Sequence, residues 1–125
     1  MASEKSLPFR IVRGLLLLAV VLAAVSLVAI WQVGAWKLVF PSDQHDTVAP
    51  DIPAELASPA ILLFTKTNGF RHQDGIAGGV SAVDAIAGGR GWGVFHTENG
   101  AVFNPRDLAR FKVVIFLNAS GDMLN

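Results

Sequence analysis

The sequence predicts a doubly wound α/β fold carried behind a single transmembrane helix. Three observations point there. An uncharged apolar run, GLLLLAVVLAAVSLVAI, occupies Gly14 to Ile30 and has no polar face. From residue 60 onward, short apolar runs of strand length alternate with a segment of helical periodicity. The resulting order of strand, helix, strand, short helix, strand is the pattern of doubly wound parallel sheets.

The anchor is read first. The chain has 125 residues and formal net charge zero, but that value averages two unlike segments. Residues 1–40 carry Lys5, Arg10, Arg13 and Lys37 against Glu4, a net of +3. Residues 41–125 carry six Lys/Arg against nine Asp/Glu, a net of −3. Residues 1–13 therefore form a basic N-terminus, and residues 14–36 the predicted span. Extended through Val33, the apolar run reaches the roughly 20 residues that cross a bilayer's hydrocarbon core as a helix. Trp31 and Trp36 stand at its far end, where amphipathic rings favour the interface, and Arg10 and Arg13 at its near end. The positive-inside rule puts the N-terminus in the cytoplasm and the remainder on the periplasmic or extracellular side. A cleaved signal peptide is the alternative, with Val33-Gly34-Ala35 supplying small residues before a cut and the rest secreted. A buried core helix is a third reading, disfavoured by the missing polar face.

Pro41 to Pro59 holds four prolines, several polar residues and no periodicity, so residues 37–59 read as a semi-rigid linker. His45, set between Asp43 and Asp46, has the residue types of a metal site but reads more simply as a solvated linker histidine.

Ala60 to Phe64 (AILLF) is continuously apolar, as in a strand buried on both faces of a parallel sheet. Ile76, Val80, Val83 and Ile86 then recur at helical spacing, with Asp74 as the expected N-cap and Gly88-Gly89 as the stop. Gly78 and Gly79 weaken this helix by roughly 0.5–1 kcal/mol each relative to alanine, and close packing on the sheet is one reason to accept that. Gly93 to His96 is a second, shorter strand. Asn104 as N-cap, Pro105 at N1 and Asp107 at N3 open one or two helical turns to Arg110. Lys112 to Leu117 is the third strand. Residues 60–125 number 66 and stop where a third helix should start, whereas a three-layer domain normally needs about 100–150 residues. The expectation is the first half of a domain.

In open α/β sheets ligands gather at the carboxyl ends of the strands. That rule selects Thr65 to Asp74, His96 to Asn99 and Asn118 to Asp122. His72 has the chemistry of a general base, a metal ligand or a hydrogen-bond donor to a sugar hydroxyl, and reads equally as a local cap. Arg71, beside Phe70, can clamp an anion or stack on a ring, and reads equally as a solvated surface residue. His96 and Glu98 offer a second histidine and a carboxylate, or simply polar residues at a strand end. Asn118, Ser120 and Asp122 suit ligand contact or a turn that caps a following helix. Gly88-Gly89-Arg90-Gly91-Trp92-Gly93 follows a helix and so is no phosphate loop; no Gly-x-Ser-x-Gly or Gly-Lys-Ser/Thr sequence occurs. Having no cysteine, the chain can form no disulfide, thiolate metal site or cysteine nucleophile. Neither segment shows the Lys/Arg-rich face of a nucleic-acid binder, so nucleic acid is not an expected partner.

Three motifs in order carry a family resemblance: Lys66-Thr67 with Gly69-Phe70-Arg71-His72; Thr97-Glu98-Asn99; and Asn118, Ser120-Gly121-Asp122 with Leu124-Asn125. Residues 60–125 thus resemble the N-terminal part of a ThuA-like (trehalose-utilisation) domain, of the class I glutamine amidotransferase-like superfamily. Asn99 departs from the commoner acid of that pattern. The resemblance implies a flavodoxin-like fold and a role in disaccharide or keto-sugar metabolism, in a family often exported or attached to carbohydrate-active proteins. It also implies that the superfamily's nucleophile and the family's later glycine-rich and histidine motifs fall beyond residue 125.

The functional expectation is a membrane-anchored domain on the outer side, acting on or binding a sugar-like small molecule. His72 is the expected catalytic residue; Arg71, Phe70, Asn118 and Asp122 are the expected substrate contacts. A divalent metal, with His72 and His96 as ligands, is the cofactor to look for. A non-enzymatic carbohydrate-binding or adaptor module, or an inactive truncated product, is the alternative.

Overall fold

The structure is a computed structural model that describes residues 6–124. Lys5, counted above with the basic N-terminus, and Asn125, counted with the third motif, lie outside the described residues. The chain divides into two compact units, Met1–Ala35 and Trp36–Asn125.

The first unit is helix α1, Ser6–Gln32. Its segment Pro8–Gln32, 25 residues, is long and apolar enough to cross a membrane or to serve as a signal sequence, and none of it is buried in protein. At about 1.5 Å per residue that segment is about 37 Å long, more than the roughly 30 Å of a hydrocarbon core.

The second unit starts with a single turn, α2 (Trp36–Val39), and is built on a parallel sheet of β1 (Ala60–Phe64), β2 (Gly93–Thr97) and β3 (Val113–Phe116). The strand order is β2-β1-β3, so the chain reverses its direction of progress across the sheet at β1. The continuous apolar run of β1 is explained by its central place: all five residues are buried, and Leu62, Leu63 and Phe64 have no exposed surface. Each of those three side chains stabilises the fold by roughly 1.5–3 kcal/mol through burial. Leu62 shares a face with Phe95 of β2 and joins Ala60, Val102 and Phe111 in the main core. Phe103 and Leu108 cover that face from a 3₁₀ turn, Gly100–Val102, and a helical turn, α4 (Pro105–Leu108). Phe64 meets Phe103 and Phe116 edge-on, at ring separations of 4.9 and 5.6 Å.

Helix α3, Gln73–Gly88, buries Ile76 and Ala87. Its N-cap is His72, not Asp74, which lies inside the first turn. A carboxylate there still favours the positive end of the helix dipole. The two helical glycines differ. A Cβ on Gly79 would come within 2.6 Å of a Leu117 methyl, whereas a Cβ on Gly78 would meet nothing within 4 Å. Close packing therefore accounts for Gly79 alone. Helix α4 forms as its sequence predicts: Asn104 Oδ1 accepts the Asp107 N–H at 3.0 Å and Pro105 occupies the first turn.

Residues 41–59, which read as a linker, are held against the domain. Ser42 N–H donates to Asn68 O at 2.8 Å, Asn99 Nδ2 to Val48 O at 2.9 Å and Arg110 Nη1 to Ile52 O at 3.0 Å. Ile52 and Leu56 pack on the core. Proline suits such a strap because its fixed φ lowers the entropy lost on docking. The outer strand β3 carries no further strand among the described residues, and Val113, Val114 and Phe116 are 49%, 37% and 51% exposed.

Candidate functional site

Just beyond β1 the chain changes character without leaving the interior. Thr65, Lys66, Thr67 and Asn68 follow the apolar run directly and are all buried. Buried polar groups are costly unless partnered, and here each one is. Thr65 Oγ1 donates to Glu98 Oε1 at 3.4 Å. Lys66 Nζ forms an ion pair with Asp46 Oδ2. Thr67 Oγ1 accepts from Arg71 Nη1 at 3.2 Å, and Thr67 O accepts from Lys37 Nζ at 2.7 Å. Asn68 Nδ2 donates to Gln44 O at 3.0 Å and also to Asp122 O. Three segments thus converge on the carboxyl end of β1: the loop after β2, the loop after β3 and the strap from α2.

The loop after β3 is stitched to the loop after β1. Asn68 N–H and Gly69 N–H both donate to Ser120 O, at 2.9 and 3.1 Å, and Ser120 Oγ donates to Phe70 O at 2.6 Å. The crossing is tight: a Cβ on Gly121 would lie 2.4 Å from Gly69 N, and Gly121 has φ of +80°. Glycine alone fits both the space and the left-handed backbone.

Between the strap and the β1 and β2 loops lies an open cavity of about 800 Å³. Its wall is charged and polar throughout. Lys37, Lys66 and Arg71 face Asp46 and Glu98, with Ser42, Gln44, His45, Asn68 and Asn99 among the remaining lining residues. The carboxylate of Asp46 accepts from Lys66 and from Gly100 N–H at 2.8 Å, and these two bonds, the lysine's foremost, hold its pKa below the ordinary carboxylate value. His45 Nε2 is buried and lies 3.3 Å from Asp122 Oδ1, yet is not aligned for a hydrogen bond.

The residues singled out in the sequence are distributed unevenly around this cavity. Arg71 lines it, but as a tie: Nε donates to Gln73 Oε1 at 2.8 Å and Nη2 to Glu98 Oε1 at 2.7 Å. Nε and Nη1 are thus bonded within the segment that follows β1, and Nη2 alone ties it to the β2 loop. His72 is exposed, and its Nδ1 accepts the Gly75 N–H at 3.2 Å. That bond needs an unprotonated Nδ1, so the neutral ring carries its proton on Nε2. His72 is outside the cavity lining, and so is Phe70, whose ring stands edge-on to it at 6.2 Å. Asn118 adopts the left-handed conformation, φ +49°, beside Gly75 at the start of α3. The carboxylate of Asp122 is 70% exposed at the far side of His45. His96 pairs with Asp84 Oδ1 at 2.8 Å, joining β2 to α3. His72 and His96 thus serve separate partners. Among the described residues no group of three or more His, Asp or Glu is gathered as a metal site would need.

The rim cluster Thr65 to Asp74 already contained Lys66 and Asn68, though neither had a role assigned from sequence; Asp46 was named only beside His45, and Lys37 and Gln44 were not singled out. Lys66 carried a signal, a lysine directly after a fully apolar strand. Asp46 had only the neighbouring acid and histidine in a stretch without periodicity. Asn99 uses both atoms of its amide: Nδ2 donates to Val48 O at 2.9 Å while Oδ1 accepts Ala101 N–H at 2.9 Å. An aspartate could supply only the second bond.

Comparison of the chain with protein-family models, with curated proteins and with solved structures found no match in any of the three.

Proposed function

We propose that the unit formed by residues 36–124 binds a sugar-like small molecule in the rim cavity, on the outer side of a membrane that α1 crosses. The single observation carrying this reading is the cavity wall. Donors and acceptors both line a cavity of about 800 Å³, with Lys66, Asn68 and Asn99 in the same wall as Asp46 and Glu98. Polyhydroxylated ligands need that mixture, since every hydroxyl both donates and accepts and must recover the bonds it made to water. The cavity lies at the carboxyl ends of β1 and β2, on the rim where open α/β sheets bind ligands. The resemblance of the three loop motifs to ThuA-like domains, with their flavodoxin-like fold, agrees with a carbohydrate ligand. The basic residues Arg10 and Arg13 before α1 favour a cytoplasmic N-terminus.

Binding is preferred to turnover because His72, the one residue assigned proton transfer from sequence, caps α3 and does not line the cavity. Calorimetric titration of the full chain in nanodiscs with glucose and trehalose tests the proposal. Saturable binding that weakens in Asn68→Ala is expected; no heat with either sugar would remove it. Turnover lost in His72→Ala, with binding retained, would instead favour the enzymatic reading.

A further inference from the structure

We propose that the ligand of this cavity carries one negative charge, and that Lys37 is the residue that selects it. This rests on the sugar-binding reading above and narrows the substrate class to acidic sugars, such as a uronate.

The inference comes from pairing the cavity's charges one by one. Lys66 is neutralised by Asp46, and Arg71 by Glu98 at 2.7 Å. Lys37 is the third cation of the wall, and among the described residues no carboxylate lies within ion-pair distance of it. The Lys37 ammonium has three donors, and its hydrogen bond is to Thr67 O at 2.7 Å. Thr67 is 4% exposed, so that carbonyl holds the ammonium against an interior segment instead of leaving it to swing in solvent. A fixed, half-buried cation with donors to spare is a site for an anionic group. Three cations against two carboxylates leave the wall one charge short of neutral. A carboxylate supplies that single charge. A phosphate monoester would bring between one and a half and two at neutral pH and overfill it. The remaining lining, Ser42, Gln44 and Asn99 among them, suits the ligand's hydroxyls.

The test uses the full chain in nanodiscs of uncharged phosphatidylcholine, titrated at low salt with glucuronate and with glucose. Glucuronate is expected to bind about tenfold more tightly, the scale of one charge-assisted hydrogen bond, and 0.5 M salt should reduce the difference. In Lys37→Gln the preference for glucuronate over glucose should fall from about tenfold to near parity. Equal affinities in the parent chain, or a preference that survives Lys37→Gln, would overturn the inference while leaving sugar binding intact. If neither sugar binds, both readings fall together. If Lys37→Gln loses both sugars, Lys37→Arg decides: a retained preference for glucuronate supports the charge assignment, and a lost one overturns it.

Discussion

Single side chains in this domain are committed to bonds that a reading by residue type leaves open. His72 is the clearest case. Its Nδ1 takes the Gly75 N–H that the helix itself leaves unpaired, the work that Ser, Thr, Asp or Asn does at most helix starts. Replacing it with alanine should cost about 1 kcal/mol of stability, and His72→Asn should recover most of that loss. Thermal melting followed by tryptophan fluorescence would check both. A chemical role would show differently: asparagine would restore the melting temperature but not the activity. Arg71 follows the same logic, since its bonds to Gln73, Thr67 and Glu98 make it a brace between two loops before it can be a clamp.

At the scale of elements, the glycines separate packing from propensity. Gly78 sits in α3 with open space where a Cβ would go, so Gly78→Ala should stabilise the domain by about 0.5–1 kcal/mol. Gly121→Ala should do the reverse. It places a Cβ 2.4 Å from a backbone nitrogen at a residue with φ of +80°, a strain of about 1–3 kcal/mol that the crossing loops cannot relax without parting. Because those loops hold Asn68 in the cavity wall, the substitution should also weaken the proposed sugar binding. Melting temperature and titration of the same two variants would check the pair. Equal effects would mean that the loops do not form the crossing described here.

For the whole molecule, two charges and one long apolar helix set the expected behaviour. Asp46 has its pKa lowered by Lys66 and the Gly100 N–H, and Asp107 by Arg106 and Asn104. A lowered folded pKa means that the unfolded chain takes up protons first as pH falls. The stability these groups contribute is therefore full above about pH 5 and is lost as pH drops through the ordinary aspartate value near 3.9 and on to the folded value. Asp46→Asn should flatten this acid limb in a series of melts from pH 7 to pH 3. It should also lower stability at pH 7 by about 1–3 kcal/mol, because Lys66 keeps its charge and loses its partner. The proposed membrane crossing of α1 gives the other prediction. If α1 crosses as proposed, Val21→Arg, near the middle of Pro8–Gln32, raises the insertion cost by about 2.5–3.5 kcal/mol and shifts the chain from the membrane fraction to the soluble one on carbonate extraction; an unchanged distribution would count against the crossing.

The sequence by itself determined what depends on local order. The apolar length of α1, the buried run of β1, the helix α3 and the Asn104-Pro105 start of α4 are periodicities and caps that reappear in the structure, although Ile86 of the expected α3 stripe is 53% exposed and Ala87 is buried in its place. The rim as a location was legible too, because the carboxyl ends of parallel strands follow from their order. Which side chains form the cavity was decided by tertiary structure alone. Lys37 reaches Thr67 across 30 positions, and Asp46 meets Lys66 across 20 and Gly100 across 54. No periodicity records such pairings. They arise because buried polar groups after β1 must find partners, and the strap from residues 41–59 lies close enough to supply them.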